Sequence, residues 1–197
     1  FPSLAGTSVK QDFVELPSQI MEHWAREPEV LRSYARHVET GDPIPDTLIE
    51  KLHASESFNT GFATSEYLAA CYLDLAWHEL QDTFEGDVEA FEARAMAAIG
   101  LPPQIAPRYR STYFRHIFDG DSYSAGYYVY IWAEVLDADA YEAFRERGIF
   151  DRSTATAFRR HILEPGGSVD PMRLYTAFRG RPPEEDALLT KRGLRVG

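Results

Sequence analysis

The sequence predicts an all-α protein. Apolar residues recur at spacings of three and four along most of the chain, which is the period of an amphipathic helix. Alternation of β-branched with polar residues, the pattern of a half-buried strand, is nearly absent. Proline and glycine stand where the helical patterns stop. We therefore expect helices joined by turns and no strand.

Four helices are predicted in the first part of the chain, over residues 10–26, 28–39, 46–55 and 60–82. Pro28 suits the first turn of a helix because its missing N–H would have no helical partner there. Asp46 is expected to cap the third helix, after a turn that reads Gly-Asp-Pro-Ile-Pro. The fourth segment carries the densest apolar pattern, so we expect it to be buried on most sides.

The remaining helices are predicted over residues 87–99 and 122–147, followed by three shorter ones that begin at Asp151, at Ser168 or Asp170, and at Pro182. Gly148 is expected to close the long helix, and residues 107–121 to form a mixed connection. Neither a repeat nor a linker divides the sequence. Residues 1–197 are therefore expected to form a single helical region.

Charge and composition exclude several classes of function. The formal net charge is −11, whereas nucleic-acid binding depends on a surplus of Lys and Arg. The longest uncharged stretch, residues 95–107, is too short to span a bilayer and contains three prolines. The single cysteine, Cys71, lies among apolar residues and reads as a small buried side chain. We expect a cytoplasmic protein that binds neither nucleic acid nor membrane.

One short motif imitates a zinc-binding helix. Residues 78–82 read His-Glu-Leu-Gln-Asp, which begins like His-Glu-x-x-His but has Asp where the second histidine should stand. Two imidazoles one helical turn apart are needed to share a metal ion. We therefore interpret His78 and Glu79 as ordinary polar residues at a helix end.

Two acidic residues near the amino end have the spacing of a shared helix face. Asp12 and Glu15 are three residues apart, so on a helix both carboxylates could serve a metal ion. A solvated acidic face at a helix amino end explains the same pattern. Glu15 stands between apolar residues, which indicates a partly buried carboxylate that needs a partner.

A tyrosine stripe is the third feature. Tyr123, Tyr127 and Tyr130 follow the i, i+4, i+7 spacing, so on the predicted helix their phenols share one face. His116 precedes a turn that could fold it back toward that face. Such a stripe is either a packed core or the wall of a wet cleft, because a buried phenol needs a hydrogen-bond partner.

Two runs of the chain resemble the M3 family of zinc oligopeptidases, most closely its bacterial peptidyl-dipeptidase branch. They are residues 12–19, Asp-Phe-Val-Glu-Leu-Pro-Ser-Gln, and residues 123–132, Tyr-Ser-Ala-Gly-Tyr-Tyr-Val-Tyr-Ile-Trp. The similarity extends over nearly the whole chain. It implies that residues 1–197 are the carboxy-terminal portion, one half of the catalytic domain, of a deep-cleft, zincin-like metallopeptidase. That enzyme would hydrolyse short peptides with one zinc ion.

The resemblance also assigns roles to individual residues. It implies that Glu15 is one zinc ligand, and that Tyr123 and Tyr130 donate hydrogen bonds to the oxyanion of the scissile carbonyl. Tyr127 would line the same cleft, and His116 would lie near the substrate backbone. The turn after His116 departs from the family pattern, since Asp119, Asp121 and Ser122 replace residues that are often glycine. The two zinc-binding histidines and the catalytic glutamate are expected upstream of Phe1, in the amino-terminal portion of the same enzyme.

Position and charge suggest that two arginines bind the end of a peptide substrate. Arg108 and Arg110 could hold the terminal carboxylate of a peptide, because a guanidinium binds a carboxylate through two hydrogen bonds. Both could equally make surface ion pairs.

Two other functions are compatible with the sequence. The alternative function is a non-catalytic helical module that binds peptides in a tyrosine-lined groove. The third possibility is a purely structural helical domain.

Overall fold

The computed structural model describes residues 1–195, and these residues confirm the all-α prediction. Helix accounts for 62% of the chain, and no strand forms within the described residues. The α-helices are α1 (Leu16–Arg26), α2 (Pro28–Tyr34), α3 (Asp46–Glu56), α4 (Thr60–His78), α5 (Val88–Ala98), α6 (Val129–Arg147), α7 (Arg152–Phe158), α8 (Pro171–Arg179) and α9 (Asp186–Lys191). None of the helices between residues 1 and 195 combines the length and apolar character needed to cross a bilayer.

The chain divides into two compact units. The first contains Phe1–Phe58 together with the described residues from Ile131 onward, and the second is Asn59–Tyr130. A single region over residues 1–197 stays a prediction, and its last two residues lie outside the described part.

The core of the first unit forms where α1, α6, α7 and α8 meet. Trp24 packs on one side of it, with its ring centroid 4.8 Å from those of both Tyr141 and Phe144 in edge-on contacts. Its indole N–H donates to the Ile149 carbonyl at 2.9 Å. The buried side chains of this core are Phe13, Leu16, Ile20, Leu136, Ala140, Tyr141, Phe144, Phe158, Ile162, Leu174 and Tyr175. Burial of these large apolar side chains is the main source of stability for the unit.

The second unit is built on α4 and α5, which pack on each other. Asp87 caps α5 by accepting a hydrogen bond from the Ala90 N–H at 2.8 Å. Trp77 of α4 joins this pair of helices to the connection that follows: its indole N–H donates to Ser111 Oγ at 2.9 Å, and its ring lies 4.1 Å from that of Phe91. The connection itself contains two short 3-10 turns, Ser111–Tyr113 and Arg115–Phe118.

The first predicted helix begins later than expected. Residues 11–13 form a separate 3-10 turn, and α1 starts only at Leu16. Pro17 explains the difference, because a proline lacks the N–H for the helical bond and its ring clashes with the carbonyl four residues earlier. Asp12 and Glu15 are therefore not on one α-helical face, and that prediction was wrong.

Several other ends differ from the prediction. α2 stops at Tyr34 because the next segment turns back on itself, with Arg36 bridging to Pro43 and Gly41 at φ +74°. Pro45 is the N-cap of α3, while the Asp46 carboxylate pairs with Arg32 at 2.7 Å. The last helix starts at Asp186 and not at Pro182. Pro182 is followed by Pro183, and a residue before a proline disfavours the helical conformation.

Candidate active site

The tyrosine segment is not the helix that its spacing predicted. α6 begins only at Val129, so Tyr130 is helical while Tyr123 and Tyr127 lie in a series of turns before it. Ala125 adopts the left-handed conformation, with φ +55°, which is unusual for a residue with a side chain. The interpretation of one shared helix face was therefore wrong, and the turn segment 122–128 needs a separate cause.

The buried carboxylate of Asp74 on α4 accepts hydrogen bonds from two amides of this segment. Asp74 is 1% exposed, its Oδ1 accepts from the Ala125 N–H at 3.0 Å, and its Oδ2 accepts from the Tyr127 N–H at 2.8 Å. His78, one turn along α4, places its Nδ1 2.8 Å from Oδ1. A buried carboxylate must be matched by donors, and here two of them are backbone amides of the turn segment.

His116 lies at the centre of the aromatic side chains that the sequence singled out. Its Nε2 is 3.0 Å from the Tyr130 hydroxyl oxygen. The ring centroids of Tyr123 and Tyr127 lie 5.0 and 5.6 Å from that of His116, and the rings of Tyr127 and Tyr130 are 5.4 Å apart. We call these four residues the His116 cluster. The turns thus bring together the side chains that a continuous helix was expected to align.

The tyrosines of the cluster differ in exposure. Tyr123 is 40% exposed and Tyr130 partly buried, whereas Tyr127 is 6% exposed. Burial raises the pKa of Tyr127 to about 12, although the nearby Arg108 guanidinium opposes the rise. Tyr127 packs as a core residue does, and Tyr123 does not. A neutral phenol is a hydrogen-bond donor, which is the form that an oxyanion requires.

The two candidate arginines have different surroundings. The guanidinium of Arg108 lies 4.9 Å from the ring centroid of Tyr67, and that ring packs 5.5 Å from Tyr127. Arg110 forms an ion pair with Glu92, a 4% exposed carboxylate that also accepts from the Ser111 N–H at 2.7 Å. Arg108 therefore borders the His116 cluster through Tyr67, while Arg110 is already held by a carboxylate of its own unit.

Glu15, the candidate metal ligand, belongs to the first unit. It is partly buried at the N-cap position of α1, where its Oε2 accepts from the Ser18 hydroxyl at 2.6 Å. Asp12 lies in the preceding 3-10 turn. Among residues 1–195 no group of three or more His, Cys, Asp or Glu side chains is placed to hold a metal ion. The Glu15 carboxylate can supply one ligand of a metal site. That Glu15 belongs to the same site as the tyrosines stays a prediction.

The zinc-like motif ends a helix. His78 is the last residue of α4, and its Nδ1 also lies 2.9 Å from the Asp74 carbonyl oxygen. Glu79 follows as the C-cap residue. The polar reading of these two residues fits this position, although His78 has a specific partner that the motif did not indicate.

Asp74 is the residue that the sequence reasoning missed. Its signal was present, because a carboxylate stands between Leu73 and Leu75 in the most apolar segment of the chain. A charged residue on a buried helix face needs hydrogen-bond partners. The identity of those partners, about fifty residues further along the chain, could not be read from local pattern.

Comparison with known proteins places these features in a family. The profile of Peptidase family M3 matches residues 1–194. The chain is 45% identical to the dipeptidyl carboxypeptidases of Escherichia coli K12 and Salmonella typhimurium LT2, over 100% and 98% of its length. It is 40% identical, over 96% of its length, to oligopeptidase A of Salmonella typhimurium LT2. The chain spans 28–29% of the length of these relatives. This chain belongs to Peptidase family M3.

Proposed function

We propose that the chain is part of a zinc-dependent peptidase that hydrolyses short peptides, as an oligopeptidase or a peptidyl-dipeptidase. The observation that carries the proposal is the His116 cluster, in which an imidazole contacts a phenol hydroxyl and two further phenol rings. The family match and the names of the relatives support the reaction class. The alternative, a helical module that binds peptides without cutting them, could use the same cluster to bind a peptide. It would not need a metal site next to the cluster.

The cluster suits stabilisation of a developing negative charge. In the proposed reaction Tyr130 and Tyr123 donate hydrogen bonds to the oxygen of the scissile carbonyl as it becomes an oxyanion. In that role the His116 Nε2–H would donate to the Tyr130 oxygen across the 3.0 Å contact, which leaves the phenol hydrogen for the oxyanion and limits the motion of the donor. Tyr127 would line the same cleft, and Arg108 would bind the terminal carboxylate of the peptide. Arg110 is the weaker candidate for that task because Glu92 already neutralises it.

Zinc is expected to be held partly by this chain. Glu15 would supply one carboxylate oxygen, with its second oxygen held by Ser18. Two histidines from the amino-terminal portion of the same enzyme would complete the zinc ligands, and a glutamate from that portion would act as the general base. When bound, the zinc ion would polarise the carbonyl and lower the pKa of its water. Because about three protein ligands are needed, we expect neither tight zinc binding nor hydrolysis from residues 1–197 alone.

A cytoplasmic setting is part of the proposal. Cys71 is a free, buried thiol, and burial raises its pKa to about 11. Such a thiol is inert toward disulfide exchange and needs no oxidising compartment. Short peptides, rather than nucleic acid or membrane, are the proposed partners.

The proposal is tested in the intact protein with a short fluorogenic peptide. We expect hydrolysis that stops when zinc is chelated and returns when zinc is restored. Glu15→Gln should lower zinc affinity by at least about 10- to 100-fold, since losing even an outer-shell contact has an effect of that size. Glu22→Gln, an exposed carboxylate on the same helix, is the matched control and should leave zinc affinity unchanged.

Two outcomes contradict the proposal. Hydrolysis that survives complete chelation would remove zinc from the reaction, and unchanged zinc affinity in Glu15→Gln would remove Glu15 from the site. For the isolated chain, calorimetry that finds a stoichiometric, submicromolar zinc site would contradict the prediction of a partial ligand set.

A further inference from the structure

Asp74 and His78 lie outside the set of residues assigned to the reaction, yet they contact the segment that carries two of its tyrosines. Asp74 uses one oxygen for each of two amides, those of Ala125 and Tyr127. The residue between these two, Gly126, is also buried, so the middle of the turn faces the protein interior. The carboxylate therefore contacts the backbone on both sides of the turn.

The conformation of Ala125 shows that the contact works against a local preference. A residue with a Cβ disfavours the left-handed region by about 1 kcal/mol or more in a free chain. Without a partner, the apolar spacing of residues 122–128 would favour continuing α6 toward the amino end, as the sequence predicted. Two charge-assisted hydrogen bonds, which the buried Asp74 carboxylate accepts, outweigh the preference for a helix.

His78 orients the carboxylate. Its Nδ1 lies 2.8 Å from Asp74 Oδ1 and 2.9 Å from the Asp74 carbonyl oxygen, which are both acceptors. Nδ1 must therefore carry a hydrogen, and the Ala125 N–H, 3.3 Å from Nδ1, has Asp74 Oδ1 as its acceptor. The imidazole keeps Oδ1 turned toward the turn segment.

We infer that Asp74, oriented by His78, is a positioning residue that sets the places of Tyr123 and Tyr127 in the His116 cluster by holding Ala125 in its left-handed turn. The inference rests on the proposed function for its effect on catalysis. Its structural part, the control of the turn segment, does not depend on that function.

Asp74→Asn is the direct test. The substitution keeps the shape of the side chain but replaces one acceptor oxygen by an NH2 group, which opposes a backbone N–H. Amide hydrogen exchange, measured in the intact protein, should become at least tenfold faster at Ala125 and Tyr127 than in the parent, while the amides of α5 change less. The value of kcat should fall by about 10- to 100-fold with KM within about threefold, since a misplaced donor affects the transition state.

A matched control separates positioning from general destabilisation. Asp139→Asn alters a carboxylate of equal burial, 1% exposed, that contacts no residue of the turn segment. Any general destabilisation that it causes should speed exchange at Ala125 and Tyr127 no more than at the amides of α5. If Asp139→Asn speeds exchange at these two amides, relative to the amides of α5, as much as Asp74→Asn does, the positioning inference is overturned.

Substitutions at Ala125 test the same idea without a change in the core. Ala125→Gly accepts the left-handed turn freely, whereas Ala125→Val places a β-branched side chain in a conformation that it avoids. We expect kcat of the glycine variant to exceed that of the valine variant by at least tenfold, and Ala125→Gly to restore part of the activity lost in Asp74→Asn. Equal kcat values for the two Ala125 variants would contradict the inference.

The outcomes distinguish this inference from the proposed function. If Tyr123→Phe leaves kcat unchanged while Asp74→Asn still speeds exchange at residues 125 and 127, the positioning of the segment holds and the role of the tyrosine fails. If Tyr123→Phe lowers kcat but Asp74→Asn changes neither kcat nor exchange, the positioning inference is wrong and the proposed function is untouched.

Discussion

Two equally buried aspartates, one in each unit, have opposite kinds of partner. Asp139 in the first unit accepts from the Tyr175 hydroxyl at 2.6 Å and pairs with the guanidinium groups of Arg179 and Arg181. Asp74 in the second unit accepts from two backbone amides instead, with the His78 imidazole beside it. The first arrangement ties side chains of neighbouring helices together. The second fixes a path of the main chain, and that path carries the candidate catalytic tyrosines.

The comparison shows that a buried aspartate can stabilise the core, as Asp139 does, or determine the geometry of a candidate site, as Asp74 does. A buried carboxylate matched by cations contributes to the core, and breaking it leaves uncompensated charge. A buried carboxylate matched by amides contributes less to the core but decides where neighbouring side chains point. Substitutions in the first unit should therefore change mainly stability, and those around Asp74 mainly activity.

The largest stability effect is expected at Asp139. Asp139→Asn should lower the free energy of unfolding by about 3–5 kcal/mol, because Arg179 and Arg181 lose their buried partner. Urea denaturation followed by circular dichroism measures this change. Glu146→Gln, which removes a more exposed partner of Arg179, is the control and should cost about 1 kcal/mol or less. A similar loss in both variants would show that burial of Asp139 does not matter.

The first unit also fixes one path of its main chain, and it does so by close packing. A Cβ added at Gly167 would collide with the Ser8 carbonyl oxygen. Gly167→Ala should therefore destabilise the protein by about 1–3 kcal/mol, as overpacking does. Gly6 lies in the same amino-terminal segment as Ser8, and a Cβ added there would have no atom within 4 Å. Gly6→Ala should therefore change stability by less than about 0.5 kcal/mol. Equal melting temperatures for the two variants would contradict the close approach.

Alkaline pH distinguishes the buried phenol of the cluster. The pKa of Tyr127 is raised from 10.0 to about 12 by burial, so the unfolded chain releases this proton at lower pH than the folded one. The stability that Tyr127 contributes is thus complete below pH 10 and is lost as pH rises toward 12. Tyr127→Phe should remove a step near pH 12 from the absorbance titration at 295 nm. A step that stays unchanged in the variant would refute the assignment.

The smallest effect is expected at Cys71, where it reports on the charge of Asp74. Burial is the main cause that raises the Cys71 pKa to about 11, and the Asp74 carboxylate adds to it. The native thiol should react with Ellman's reagent far more slowly than the thiol of the urea-denatured protein. Asp74→Asn should speed the native reaction slightly, because the nearby negative charge is gone. A native thiol that reacts as fast as the denatured one would contradict its burial.

Local sequence signals predicted the elements that depend on local contacts. Asp87, Asp151 and Asp170 stand where helix starts were expected, and each accepts a hydrogen bond from an N–H of the helix it begins. Gly148 ends α6 as expected, with φ +112°. These signals lie within four residues of the helix ends that they determine.

The same reasoning failed where a distant residue or an overlooked proline decides. The turn segment 122–128 has helical spacing, but Asp74 on α4 takes its amides. Pro17 could have been read from the sequence as the reason that α1 starts at Leu16. The grouping of the three tyrosines with His116 was predicted, although the helix expected to produce it does not form. The assignment of Glu15 to the same site came from family resemblance, and it stays a prediction.

Tyr130→Phe in the intact protein tests the central claim most directly, because it removes only the hydroxyl that contacts His116. The account predicts that kcat for a short peptide falls by about 10²- to 10³-fold, the usual effect of losing one oxyanion donor, with little change in KM. Tyr128→Phe, an exposed neighbour two residues away, should retain the parent's activity. Activity of Tyr130→Phe within twofold of the parent would contradict the claim that the His116 cluster forms part of a peptidase active site.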